Sequence, residues 1–204
     1  IMFPIRNVKG QIVGFGGRVL DQGEPKYLNS PETPLFHKGS EIYGLFEARA
    51  AIKAAGRAIV VEGYMDVVAL AQHGVEFAVA TLGTATTPVH ARTLLRHTDR
   101  LIYAFDGDNA GRKAAWRALE NTLEALQDGK EVSFLFLPEG EDPDSYIRTH
   151  GQAAFLQLLD TDTLLLSAFL VRELTRDRKL DVQEGRAALI KDAKPLLDKI
   201  AAPL

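Results

Sequence analysis

Carboxylates recur where apolar runs end. Glu62 follows Ala58-Ile59-Val60-Val61, Asp106 and Asp108 follow Arg100-Leu101-Ile102-Tyr103-Ala104-Phe105, and Asp142 and Asp144 lie just beyond a run at 131–137. Short apolar runs bounded by turn residues read as strands buried on both faces of a parallel sheet. The ends of such strands lie on one edge, where α/β folds bind ligands. Acids distant in sequence therefore converge, and their repulsion calls for a cation. Oxygen donors without Cys or suitably spaced His favour Mg²⁺ or Mn²⁺ over zinc. The chemistry of such ions is phosphoryl transfer. Each acidic group has a plainer reading by itself. Asp106-Gly107-Asp108 is equally a turn with a helix cap, Glu62-Gly63 a surface turn, and Asp142-Pro143-Asp144 a cap. Their recurrence at consecutive strand ends is what argues for a site. His37, His73, His90, His97 and His150 lack metal-ligand spacing and read as surface or helix-end residues.

The elements that must position these acids follow from pattern. Residues 2–28 read as β structure, with a turn at Asn7-Val8-Lys9-Gly10. Glycines at 14, 16 and 17 point to a bulge or to close backbone approach. Residues 29–40 read as loop and 45–55 as a helix stopped by Gly56. From 57 to 137, strands at 58–61, 77–80, 100–105 and 131–137 alternate with helices at 66–73, 88–97 and 110–128. That alternation predicts a parallel sheet covered by helices. Residues 144–202 read as entirely helical, with a boundary near Thr161. Trp116 is expected in the core or at a joint between subdomains.

Composition limits the function classes. The 204 residues are 46% hydrophobic and 25% charged, ordinary for a globular protein, and carry a formal charge of −3. That balance argues against a strongly basic, nonspecific nucleic-acid binder, so any such contact must be local or metal-assisted. There is no cysteine, hence no disulfide and no Cys-ligated zinc within these residues. No run approaches the ~20 apolar residues of a membrane span. The start, Ile1-Met2-Phe3-Pro4, does not read as a signal peptide. A cytoplasmic piece of a longer protein is the expectation.

Glu62-Gly63-Tyr64-Met65-Asp66 and Asp106-Gly107-Asp108 resemble the Toprim domain of primases, topoisomerases and some nucleases. Longer stretches narrow the likeness. Residues 62–70, Thr81-Leu82-Gly83-Thr84-Ala85, 105–112, Gly14-Phe15-Gly16-Gly17-Arg18, 26–33 and Glu141-Asp142-Pro143-Asp144 resemble the RNA polymerase core of bacterial replicative DNA primases. The resemblance implies three parts: the end of a mixed α+β basic subdomain (1–56), a Toprim subdomain (57–160) and a helical subdomain (161–204). It implies DNA-directed RNA primer synthesis at a centre with two or more Mg²⁺ or Mn²⁺ ions. Glu62, Asp106 and Asp108 match the central catalytic and metal-binding acids, and Asp66, Asp142 and Asp144 the outer ones. Arg6, Arg18, Lys26, Asn29 and Lys38, with Gly63, match a ridge that binds nucleotide and template. The implied partners are single-stranded DNA template, ribonucleoside triphosphates and the RNA–DNA hybrid. Replicative helicase and single-strand binding protein would be reached through other parts of the parent chain. The family's zinc-binding and helicase-binding domains are not recognisable in these residues. No membrane is implied; the place is the bacterial cytoplasm, on the nucleoid at replication forks. A Toprim nuclease or topoisomerase, or a non-catalytic Toprim binding module, are the alternative readings.

Overall fold

The computed structural model describes residues 1–20 and 27–201. The chain opens with an antiparallel sheet in the order β1 (Met2–Arg6), β2 (Ile12–Arg18), β3 (Tyr27–Asn29). The register slips between Ile5 and Arg6, which is the bulge its composition suggested. The glycines of β2 also permit close approach. A Cβ at Gly16 would lie 2.5 Å from the Tyr64 ring, and one at Gly14 would lie 3.2 Å from Phe36. Helix α1 (Leu45–Ala55) follows and stops at Gly56, whose φ of 64° suits glycine.

The central unit alternates as expected: β4 (Arg57–Val61), α2 (Tyr64–Gln72), β5 (Ala78–Ala80), α3 (Pro88–Leu95), β6 (Arg100–Phe105), α4 (Asn109–Leu123), β7 (Glu131–Phe136). These four strands are parallel, in the order β5-β4-β6-β7. Helices cover both faces, so the strands carry buried residues in unbroken runs. Each fully buried Ile, Leu or Phe contributes roughly 1.5–3 kcal/mol. The largest fully buried side chain, Tyr103, sets its hydroxyl 2.9 Å from that of buried Thr122. Thr87 caps α3 by accepting the His90 N–H at 3.1 Å, with Pro88 in the first turn. His90 is fully buried there, not on the surface, and burial pushes its pKa down.

Beyond α5 (Pro143–Thr161) the structure departs from an all-helical reading. β8 (Leu164–Leu165) adds an antiparallel edge strand to β7, with Ser133 opposite Leu165. Two leucines inside a leucine-rich stretch carry no period that separates strand from helix. α6 (Leu166–Thr175) then lays Phe169 on the sheet, 4.8 Å from the Phe134 ring and 5.3 Å from Phe136. Trp116, half-buried on α4, meets Phe169 edge-on at 6.5 Å. α7 (Gln183–Leu197) adds Leu196 to the same core. No described helix is long and apolar enough to cross a membrane.

Candidate active site at the carboxyl edge of the sheet

β4 and β6 are hydrogen-bonded neighbours, with Val60 opposite Tyr103. Glu62 and Asp106 each follow the last residue of one of these strands, so the pairing sets them on one edge. Two glycines compress the β6–α4 turn. A Cβ at Gly107 would lie 2.2 Å from the Leu137 carbonyl oxygen, and one at Gly111 would lie 2.2 Å from that of Asp106. These are backbone contacts that no other residue type fits. Gly63 and Gly83, at the same edge, meet no backbone as closely.

The helix-cap readings hold for some of the acids. Asp108 caps α4, accepting the Gly111 N–H at 2.7 Å. Asp142 caps α5, accepting the Ser145 N–H at 2.6 Å. Asp66 accepts the Gly63 N–H at 3.0 Å and so closes the start of α2. Asp144 pairs with Arg148 one turn on.

Electrostatics ties the set together. Burial raises the Glu62 pKa, and repulsion from Asp106 and Asp108 raises it further. Burial raises Asp106 too, helped by Asp142 and Asp108. Asp66 is pushed up to about 7, first by burial, then by Asp142 and, less, Asp106. Backbone N–H groups of Gly63 and Asp144 offset only part of that. Among the described residues, no Lys or Arg contributes to any of these three shifts. Glu62, Asp66 and Asp106 therefore concentrate negative charge without a counter-ion among the described residues.

Glu62, Asp66, Asp106 and Asp142 line one side of a cleft of about 280 Å³; Tyr27, Asn29 and Tyr64 line the other. Asp108 and Asp144 are not in its lining. Among the described residues, no three His, Cys, Asp or Glu side chains are gathered closely enough to form a finished metal centre. The acids are neighbours, several of them engaged in caps and ion pairs.

Of the ridge residues described, Asn29 and Gly63 line this cleft, and Arg6, Arg18 and Lys38 do not. Asn29 is held from two sides. Its amide nitrogen donates to the Leu82 carbonyl at 2.9 Å and its oxygen accepts the Tyr64 hydroxyl. That bridge ties the first sheet to the second. The Tyr64 ring is buried and stacked on Phe3 at 5.2 Å. Arg6 is occupied by Glu47 at 3.1 Å and by the Gly10 carbonyl at 2.8 Å. Arg18 lies over the Tyr27 ring, 5.5 Å from its centre. The Lys38 backbone N–H donates to Glu32 at 3.0 Å. Lys26 lies outside the described residues.

A parallel sheet with Glu after one strand and Asp-Gly-Asp after its neighbour defines a Toprim-like protein, and the family model of that description matches residues 59–147. The model described as DNA primase catalytic core, N-terminal domain matches residues 1–49, and that described as DnaB-helicase binding domain of primase matches 167–204. The chain belongs to the bacterial DNA primase family. It is 60% identical to a DNA primase of Neisseria meningitidis over 203 residues, covering 100% of this chain and 34% of the relative. The chain thus spans about a third of the length of the curated relatives it matches. A solved DNA primase domain from Pseudomonas aeruginosa is 54% identical, with a TM-score of 0.95 over 99% of this chain and 63% of that one. A DnaG primase catalytic domain solved bound to single-stranded DNA is 50% identical, with a TM-score of 0.93 over 99% of this chain and 65% of that one. The match over 167–204 corrects the expectation that no helicase-binding domain enters these residues. That segment carries no short motif to announce it, only helical periodicity.

Proposed function

We propose that the chain forms the nucleotidyl-transfer centre of a primase, joining ribonucleotides on a single-stranded DNA template. The observation that carries this reading is the gathering of Glu62, Asp66, Asp106 and Asp142 around one cleft at the ends of adjacent parallel strands. Hard oxygen donors pushed up in pKa by burial and then by one another suit Mg²⁺ or Mn²⁺. Glu62, Asp106 and Asp108 would hold the ions, with Asp66, Asp142 and Asp144 as outer acids. Ions bound there polarise phosphoryl oxygens and lower the pKa of an attacking 3′-hydroxyl.

The chain's own residues do the rest. The Gly107 and Gly111 contacts fix where Asp106 and Asp108 stand. Asn29, held by Leu82 and Tyr64, offers a fixed polar wall opposite the acids. Tyr27, exposed at the cleft, offers a face to a base. Arg18, Lys26 and Lys38 would take phosphates, and Arg6, tied to Glu47, would shape the ridge from behind. The division at 1–56, 57–160 and 161–204, contacts with ribonucleoside triphosphates, hybrid and single-strand binding protein, and a nucleoid location belong to the same proposal. Residues 167–204 would contribute to helicase contact. Primer synthesis is the test: Glu62→Ala and Asp106→Ala each abolish ribonucleotide incorporation with circular dichroism unchanged. Retained synthesis in either variant rejects the assignment. Relaxation of supercoiled DNA by the chain would favour a topoisomerase instead.

A further inference from the structure

Glu62 stands between two clefts. Besides the acidic one, a cleft of about 260 Å³ opens between the ends of β4 and β5, the 83–86 loop and α4. Its polar lining, Glu62 apart, is rich in donors. The hydroxyls of Thr81, Thr84 and Thr86 have no hydrogen-bond partner among the described residues, although Thr81 and Thr86 are only 8% and 6% exposed. The backbone N–H groups of residues 83–86 likewise donate to no described acceptor. The loop is nevertheless held in place: Asn121 on α4 donates to the Thr86 carbonyl at 2.7 Å. Arg117, on the exposed side of α4, closes the cleft and makes no ion pair with a described residue.

Backbone polar groups must find partners somewhere, and here the residues of a loop with unpartnered amides, three threonines and an arginine line one small space. Successive N–H groups with an arginine make a site for an oxyanion. The neighbouring acids would be joined to such an anion only through cations that both share. Val60, Phe105 and Ala114 add apolar walls to a space of a size for a compact group. We propose that this cleft binds a diphosphate group, either the β,γ-phosphates of a nucleotide or released pyrophosphate, with Arg117 as its anchoring cation. It shares Glu62, Thr81 and Gly83 with the acidic cleft and differs from it in Thr84, Thr86 and Arg117, and it rests on the reading that the acidic edge acts on nucleotides.

The test is a titration of the isotope-labelled chain with pyrophosphate in Mg²⁺, read by backbone amide shifts. Residues 84–86 shift saturably, Arg117→Gln weakens pyrophosphate about tenfold, as loss of a charge-assisted contact should, and Lys113→Gln on the same helix does not. A nucleoside triphosphate moves the same amides; a nucleoside monophosphate does not. If pyrophosphate affects only the acidic cleft, if Arg117→Gln binds as well as wild type, or if the monophosphate or a short single-stranded oligonucleotide moves these amides equally, the diphosphate assignment is wrong. A parallel Mn²⁺ titration separates the two claims. Absent Mn²⁺ binding removes the catalytic reading; Mn²⁺ binding with the 84–86 amides silent to pyrophosphate removes this one.

Discussion

Asp66→Asn should stabilise the protein, and increasingly so as the pH rises. The carboxyl moves from its ordinary 3.8 to about 7 in the folded chain, by burial and by repulsion from Asp142. Between those values the folded state keeps a proton that the unfolded chain has given up. Stability is therefore fullest below the lower value and falls as pH rises toward the upper one. At about 1.36 kcal/mol per pH unit, the loss approaches roughly 4 kcal/mol. Water entering the cleft screens part of it, so a gain of about 2–4 kcal/mol is expected for the variant at pH 8.5. Asparagine keeps an oxygen for the Gly63 N–H, so the start of α2 survives. Urea unfolding with chelator present measures the gap. The two proteins should differ little near pH 4 and diverge through pH 7, and Mg²⁺ should restore wild type selectively. A gap independent of pH, or a wild type more stable at pH 8.5, would refute the electrostatic account of the acidic edge.

Gly107→Ala places a methyl 2.2 Å from the Leu137 carbonyl oxygen, so it should cost about 1–3 kcal/mol or more in urea unfolding; a neutral result would mean the turn relaxes freely. Phe169→Ala, in a fully buried position, should cost about 3–5 kcal/mol in a single transition. Two separate transitions would show that α6 folds apart from the sheet. Tyr64→Phe removes the hydroxyl that fixes Asn29; a stability loss of about 1 kcal/mol should come with weaker nucleotide binding, checked by fluorescence titration, and unchanged affinity would remove Asn29 from the cleft's function.

The alternating centre was legible because buried parallel strands announce themselves as unbroken apolar runs, and Val60-Val61 and Ala104-Phe105 deliver Glu62 and Asp106 without ambiguity. The glycines of β2 signalled close approach, but the partner, Tyr64, lies far along the chain and only packing reveals it. β8 was hidden because two residues cannot display a period. His90 looked like a surface residue because its burial depends on what α3 packs against. The acids were legible as a set, whereas the donor-lined cleft behind Glu62 was not. Its Thr hydroxyls and loop amides are ordinary in sequence and become notable only when none finds a partner.

The most direct measurement is anomalous diffraction from crystals soaked with Mn²⁺ and a ribonucleoside triphosphate. The account predicts Mn²⁺ peaks within coordination distance of Glu62, Asp106 and Asp108, with triphosphate oxygens on the same ions. Peaks elsewhere, or an ordered nucleotide with no ion at these three acids, would contradict it.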